Sequence, residues 1–314
     1  MTPPSLLHMS APLREDFDIP FHRIGRKEGP PEVALVGGLH GEELNTVFVL
    51  GRMADYLHRV EAGKYPGLTL KGSFLIVPAI NVLGLNTRSR LWPFDKTDIN
   101  RMFPGYDQGE TTQRIAAAVL KATEAAKLRI ELRCSNQDLE EMSHVRIYES
   151  DAEERRVAQD FGLGTILEKR IGKLSSVSLI QAWKNSGGLN FVLRGGRGGG
   201  LQLTYCERLF AALRGFLHHR GFLVDPHCPD PDENILPYKP DSAFRILSEK
   251  AGFFVSHLNP GQWLQAGDLA GILYDGYTGK VRGEVHAPVA GLVLGLRRQP
   301  LTFEGDMIAK LLRP

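Results

Sequence analysis

Five prolines fall within the nineteen residues VDPHCPDPDENILPYKPDS, from Val224 to Ser242. Proline has no backbone N–H to give a helix or a central strand, so this stretch reads as a linker. It divides the 314-residue chain into a first unit of residues 1–223, a linker of residues 224–241 and a last unit of residues 242–314. The first unit is long enough for a large α/β domain, and the last is restricted to a small module.

In the last unit short strands alternate with glycine turns, in FRILSE, GFFVSHL, GDLAGILYD, GEVHAPVAGLVLGL and GDMIAKLL. That rhythm predicts a small all-β domain of the barrel-sandwich kind. VHAPVAGLVLGL resembles biotinyl and lipoyl carrier folds, but no lysine occupies the expected hairpin tip, so packing or lid formation is the better reading. The first unit alternates differently. EVALVGG is a short apolar strand ended by paired glycines, and EELNTVFVLGRMADYLHRV is a helix with Leu44, Val47, Phe48, Leu50 and Leu57 mostly on one face and acids in its first turn. SFLIVPAI, LRIELRC, SHVRIYE and NFVLRGG read as further strands, while QRIAAAVLKATEAA and LTYCERLFAALRGFLHHRGFL read as helices. Between SFLIVPAI and the first of these two helices lies NVLGLNTRSRLWPFDKTDINRMFPG, a long loop that its aromatics should order. Strands alternating with helices predict a mixed sheet covered by helices.

Lys+Arg 38 against Asp+Glu 36 leaves a net charge of +2, without the clustered surplus of a nucleic-acid or membrane-surface protein. With no apolar run near the ~18 residues of a membrane span and no secretory leader at the start, a cytoplasmic chain is expected. Cys134, Cys206 and Cys228 form no C-x-x-C pair and read as reduced thiols.

In GGLHGEE, His40 and Glu43 stand three apart at a helix start, where both side chains can face one metal ion. Spacing alone also allows a surface histidine beside a glutamate favoured by the helix dipole. Context carries more. The order of strand, GGLHGEE, helix, N-x-x-G at Asn81, Arg90 and DINRMFPG resembles the succinylglutamate desuccinylase/aspartoacylase family, relatives of the zinc carboxypeptidases, over about residues 32–222. The C-terminal β module is similar to the one appended to many members.

The resemblance implies a zinc-carboxypeptidase-like α/β fold and hydrolysis of an acyl amide on an amino acid. It makes His40 and Glu43 two of three protein zinc ligands, assigns Asn100 and Arg101 to substrate binding, and matches Arg90 to the arginine upstream of the family's Asp-Leu-Asn-Arg motif. Asp98 is expected to orient that loop. Two positions depart from the pattern. Where a family strand ends in Asp-Leu-His and supplies the third ligand, IELRC has Glu131 and Arg133; where a later strand carries the catalytic Glu, this chain has Arg194. Arginine has no lone pair for a metal and does not act as a base near neutral pH. At ~4 Å from Zn²⁺ a guanidinium meets a repulsion of roughly 8 kcal/mol at an effective dielectric of ~20.

The expected protein is therefore a degenerate member that binds zinc weakly or not at all and takes a small carboxylate or other anion through Arg90, Asn100, Arg101, Arg133 and Arg194. Counting those four arginines against Glu43 makes the site net positive. Such a chain suits a noncatalytic subunit beside an active paralogue, a homo-oligomer or a sensor. The alternative is an active zinc deacylase with a replacement third ligand. His144, Cys134 and the acidic loop QDLEEM, with Asp138, Glu140 and Glu141, are the candidates; the strand alternation turns Cys134 away from Arg133. His218 and His219 read as a dipole-favoured helix end, and GGRGGG at 195–200 lacks the rest of a phosphate-binding loop.

Overall fold

The computed structural model describes residues 4–10, 16–173, 176–230 and 235–313. One sheet of twelve strands runs through the described residues. Its middle is parallel: Leu189–Arg197, Leu128–Ser135, Val33–Val36 and Phe74–Val77 lie side by side in that order. The VALV and FLIV strands are buried along their whole length, which is why they read as unbroken apolar runs. Helices Leu44–Glu61 and Leu203–His219 cover one face, against Val33, Leu35, Ile130, Leu132, Phe191 and Leu193. Helices Thr111–Thr123 and Leu179–Asn185 cover the other, against Val36, Val77 and Val192. This is the carboxypeptidase-like α/β architecture that the sequence predicts.

Several local expectations change. The first helix begins at Leu44, so Glu42 and Glu43 precede it and are not in its first turn. Its buried face is Asn45, Thr46, Val49, Leu50, Met53, Leu57 and Val60, whereas Leu44, Val47 and Phe48 are half-buried. Two polar residues turn inward because they have partners there. Asn45 Nδ2 donates to Gln202 Oε1 and to the Arg197 carbonyl, and Thr46 Oγ1 accepts from Gly38 N–H while donating to the Glu43 carbonyl. The stretch read as one loop after SFLIVPAI contains a helix, Val82–Thr87, and a 3-10 turn, Ile99–Arg101. Asn81 and Asp98 cap them by accepting from Gly84 and Asn100 N–H, each at 2.9 Å.

The proline-rich linker is also more ordered than its composition suggests. Leu236–Tyr238 adds a parallel edge strand to Thr165–Lys169, a place where Pro237 costs no ladder bond to a second neighbour; residues 231–234 of that segment lie outside the described residues. In the last unit Gly252–Val255, Leu269–Tyr274, Val281–His286 and Leu301–Thr302 form a separate four-stranded sheet. Ala243–Leu247, Met307–Leu312 and Gly291–Arg297 instead extend the large sheet, joining it where Gly295 pairs with Glu141. QDLEEM is not an acidic loop: Leu139–Tyr148 is one ten-residue strand that includes Glu140 and Glu141. That strand has two partners on its outer side. Its first residues pair with Gly291–Arg297 and its last with Thr165–Lys169, so the sheet forks along it.

Candidate functional site

The parallel strands end at one edge, where the turns after them converge; open α/β sheets form ligand sites there. The turn after Val33–Val36 carries His40 and Glu43 inward, both about 1% exposed. It packs tightly on the Asn81 helix: a Cβ on Gly41 would lie 2.1 Å from the backbone carbon of Gly84, so a side chain has no room. Strand alternation does the rest. In Leu128–Ser135, Ile130 and Leu132 enter one core, which turns Glu131 and Arg133 to the opposite face and toward His40.

Arg133 lies among the donor atoms that the resemblance gives to zinc. Its Nε donates to Glu43 Oε1 at 2.9 Å, its Nη1 to Glu131 Oε1 at 2.8 Å and its Nη2 to His40 Nδ1 at 2.8 Å. A guanidinium only donates, so Nδ1 is the acceptor and the imidazole proton sits on Nε2, from which it is donated to Asp98 Oδ1 at 2.9 Å. Both ring nitrogens of His40 and Oε1 of Glu43 are thus engaged by protein partners. Burial alone would raise the Glu43 carboxyl, yet the Arg133 charge and the contacts from His40 together outweigh it and lower the pKa to about 2. Burial likewise opposes the charge on Arg133, and Glu43 and Glu131 overcome that and hold the guanidinium more firmly protonated than usual. Asp98 follows the same logic. Burial pushes it up, but the His40 hydrogen bond, the Arg90 charge and the Asn100 N–H keep it well below the ordinary carboxylate range.

The other expected site residues are differently placed. Arg90 Nη1 donates to Glu42 Oε1 at 2.9 Å and its Nη2 lies 4.0 Å from Asp98, so two acids already face it. Asn100 Oδ1 accepts from Leu179 N–H, which ties the 3-10 turn to the helix that follows. Arg101 is half-buried, and its guanidinium has no hydrogen bond or ion pair among the described residues. Arg194, aligned beside Arg133 across the parallel strands, does not reach Glu43 or Glu131. Its Nε donates to Glu141 Oε2 at 2.8 Å and its Nη2 to the Cys134 carbonyl at 3.1 Å. The charge balance expected from sequence is thereby corrected. Glu42, Glu43, Asp98 and Glu131 cluster with Arg90 and Arg133, so the acids are in excess around His40.

The replacement ligands fare poorly. His144 Nδ1–H donates to the Met142 carbonyl at 2.9 Å, its Nε2 accepts from Arg146 Nη2 at 3.3 Å, and burial with the Arg146 charge lowers its pKa to about 3. Burial pushes the Cys134 thiol well up. Glu140 is held by Arg298 at 2.5 Å and by Tyr205, and Glu141 by Arg194. Among the described residues, the trio whose donor atoms all lie within 4.8 Å of one another is His218, His219 and Cys228, at the end of helix Leu203–His219. GGRGGG serves packing: Gly196 has φ of 72° and a Cβ there would meet Gln202 Oε1 at 2.6 Å, while Gly199 N–H donates to the Glu42 carbonyl. Sequence reading missed Glu42 and Glu141 as partners of arginines, and Arg146 and Lys310 altogether. The available signal was the charged residue inside the otherwise apolar alternation of SHVRIYE.

Comparison with known proteins bears on the whole chain. The sequence profile of the succinylglutamate desuccinylase/aspartoacylase catalytic domain matches residues 30–192. The N-alpha-acetyl-L-2,4-diaminobutyric acid deacetylase of Halomonas elongata is 27% identical over 303 residues, covering 93% of this chain and 84% of that protein. Among solved structures, the ectoine utilization protein EutE (DoeB) of Ruegeria pomeroyi superposes with a TM-score of 0.76 at 24% identity, over 95% of this chain and 90% of that one. A succinylglutamate desuccinylase from Silicibacter sp. TM1040 gives 0.77 at 22% identity, over 95% and 90%. The profile spans more than half of the sequence and the fold agrees along nearly all of it, and so this chain belongs to the succinylglutamate desuccinylase/aspartoacylase family.

Proposed function

We infer that this chain is a noncatalytic member of a deacylase family, in which a guanidinium has taken the place of the zinc ion. One observation carries the reading: Arg133 donates at once to Glu43, Glu131 and the Nδ1 lone pair of His40. A zinc ion needs those lone pairs, and the family's hydrolysis needs a metal-bound water and a carboxylate base. Here the base position holds Arg194, which stays protonated. What remains is recognition. Arg101, with no acid beside it among the described residues, and the Asn100 amide are the groups able to meet a small carboxylate. A cytoplasmic role beside an active paralogue, or in an oligomer of this chain, is part of this proposal. No helix among the described residues is long and apolar enough to cross a membrane.

The test is zinc content. Purified chain carrying Cys228→Ser, which removes the His218–His219–Cys228 trio as a source of metal, is expected to hold well under one zinc per chain. Stoichiometric zinc lost on His40→Ala would overturn the reading and restore a hydrolase. Arg133→His combined with Arg194→Glu rebuilds both family positions and is expected to gain zinc affinity, read by metal titration of protein still folded by circular dichroism.

A further inference from the structure

Where the sheet forks along Leu139–Tyr148, a buried carboxylate is surrounded by more positive charge than it balances. Arg194 Nε lies 2.8 Å from Glu141 Oε2, Arg146 Nη2 3.6 Å from the same oxygen, and Lys310 Nζ 3.5 Å from Oε1. The cations come from three strands: Leu189–Arg197, Leu139–Tyr148 itself and Met307–Leu312. A fourth, Lys169, ends the opposite prong of the fork, paired with Tyr148 and close enough to feel both Arg146 and Glu141. Arg133 adds positive potential at Arg194 from the side of His40, Arg245 does so at Lys169, and Asp241 opposes it there. Asp241 is already paired with Arg170. Among the described residues four cations thus face one buried acid, Glu141.

Uncompensated charge in such a place costs several kcal/mol, so a stable fold that assembles it leaves a gap for negative charge. One polar atom here is orphaned: buried Arg146 Nε has no partner among the described residues. The side chains of Arg146, Arg194 and Lys310 keep 11%, 14% and 16% of their surface open, which admits a small solute and excludes a macromolecule. Met142, Leu167, Tyr238, Leu294 and Leu312 pack together around the fork and keep its prongs in place. Convergence of three cations on one carboxylate favours a compact ligand over an extended one.

We propose that this fork is an anion site, separate from Arg101, that takes a compact dianion of the sulfate or phosphate type between Arg194, Arg146 and Lys310. The site does not depend on the loss of zinc, and either could fail alone.

Sulfate is the probe, because it stays a dianion at neutral and alkaline pH. Calorimetric titration into the full chain, at constant ionic strength with chloride as the compensating anion, is expected to show saturable binding. Burial and the neighbouring cations lower Lys310 to about 8, so a bound anion favours its protonated form and affinity should fall as pH rises through about 8. Lys310→Met is expected to weaken sulfate about tenfold or more, the loss of one charge-assisted contact. Lys310→Arg should keep binding and lose that pH dependence, since arginine does not titrate there. Arg101→Ala should bind sulfate as the parent does. No binding above chloride, an unchanged affinity in Lys310→Met, a Lys310→Arg variant that retains the parent's pH fall, or loss of sulfate in Arg101→Ala would each overturn the proposal.

Discussion

Two arginine–glutamate clusters lie on one face of the sheet, side by side through the aligned pair Arg133 and Arg194, with opposite balances of charge. Around His40 four acids meet Arg90 and Arg133, and each guanidinium is held between carboxylates. Around Glu141 a single acid serves Arg194, Arg146 and Lys310. The same residue types therefore do different work. Under the proposed function an internal cation closes the first cluster to an external one; under the proposed anion site the internal acids of the second fall short and leave a place for an external anion. An arginine replacing a ligand is informative only together with the acids that surround it.

The comparison is broken most forcefully at its weaker side. Glu141→Gln removes the one carboxylate from the fork and is expected to cost about 5 kcal/mol, the upper range for leaving buried charges unpaired. Chemical denaturation measures it, and sulfate should restore a large part of the loss. Glu43→Gln is expected to cost about 3 kcal/mol, because Glu131 still holds Arg133. No sulfate rescue is expected in that variant. A rescue of equal size in both would erase the distinction between the clusters.

Stability against pH sharpens the same contrast. Glu43 has a folded pKa of about 2, below its ordinary value, so its contribution is complete above the unfolded pKa and disappears as pH falls from about 4.5 toward 2. The loss amounts to about 3 kcal/mol at that shift. Lys310 acts at the other end. Its folded pKa of about 8 lies below the unfolded value, so between about 8 and 10.5 the unfolded chain binds the extra proton and stability rises with pH. Denaturation across both limbs should show the alkaline gain shrink in saturating sulfate and vanish in Lys310→Met, with the acid limb unmoved. An alkaline limb indifferent to sulfate would place the anion elsewhere.

How much of this was legible in the sequence follows from how far apart the partners are. Glu131 and Arg133 share a strand two residues apart, so alternation puts them on one face; GGLHGEE, a strand-to-helix turn, brings His40 and Glu43 to the strand ends beside them. Such local regularities carry the fold and the first cluster. Glu141 has no local signal of that kind. Its partners Arg194 and Lys310 are 53 and 169 residues away, and QDLEEM reads as solvated acid until the C-terminal strands dock against it. The first helix was misread for a related reason: Asn45 and Thr46 are buried only because Gln202, the Arg197 carbonyl and the Gly38 turn offer them hydrogen bonds. Leu236–Tyr238 escaped notice because proline is admissible at a sheet edge and composition does not reveal edges.

Arg101 stands outside both clusters and gives the smallest and most diagnostic effect. It has no acid or hydrogen-bond acceptor beside its side chain among the described residues, so the fold gains little from it. Its backbone N–H, which donates to the Asp98 carbonyl at 2.8 Å, is untouched by a side-chain truncation. Arg101→Ala is therefore expected to shift stability by no more than about 0.5 kcal/mol, as a surface substitution does. Binding should respond where stability does not. With sulfate saturating the fork, succinate titrated into the parent chain reports the proposed carboxylate site at Arg101 and Asn100. The alanine variant should bind succinate about tenfold more weakly, the loss of one charge-assisted contact. Succinate affinity that is equal in parent and variant would remove Arg101 from recognition and leave the His40 cluster, closed by its own guanidinium, without a ligand-binding role.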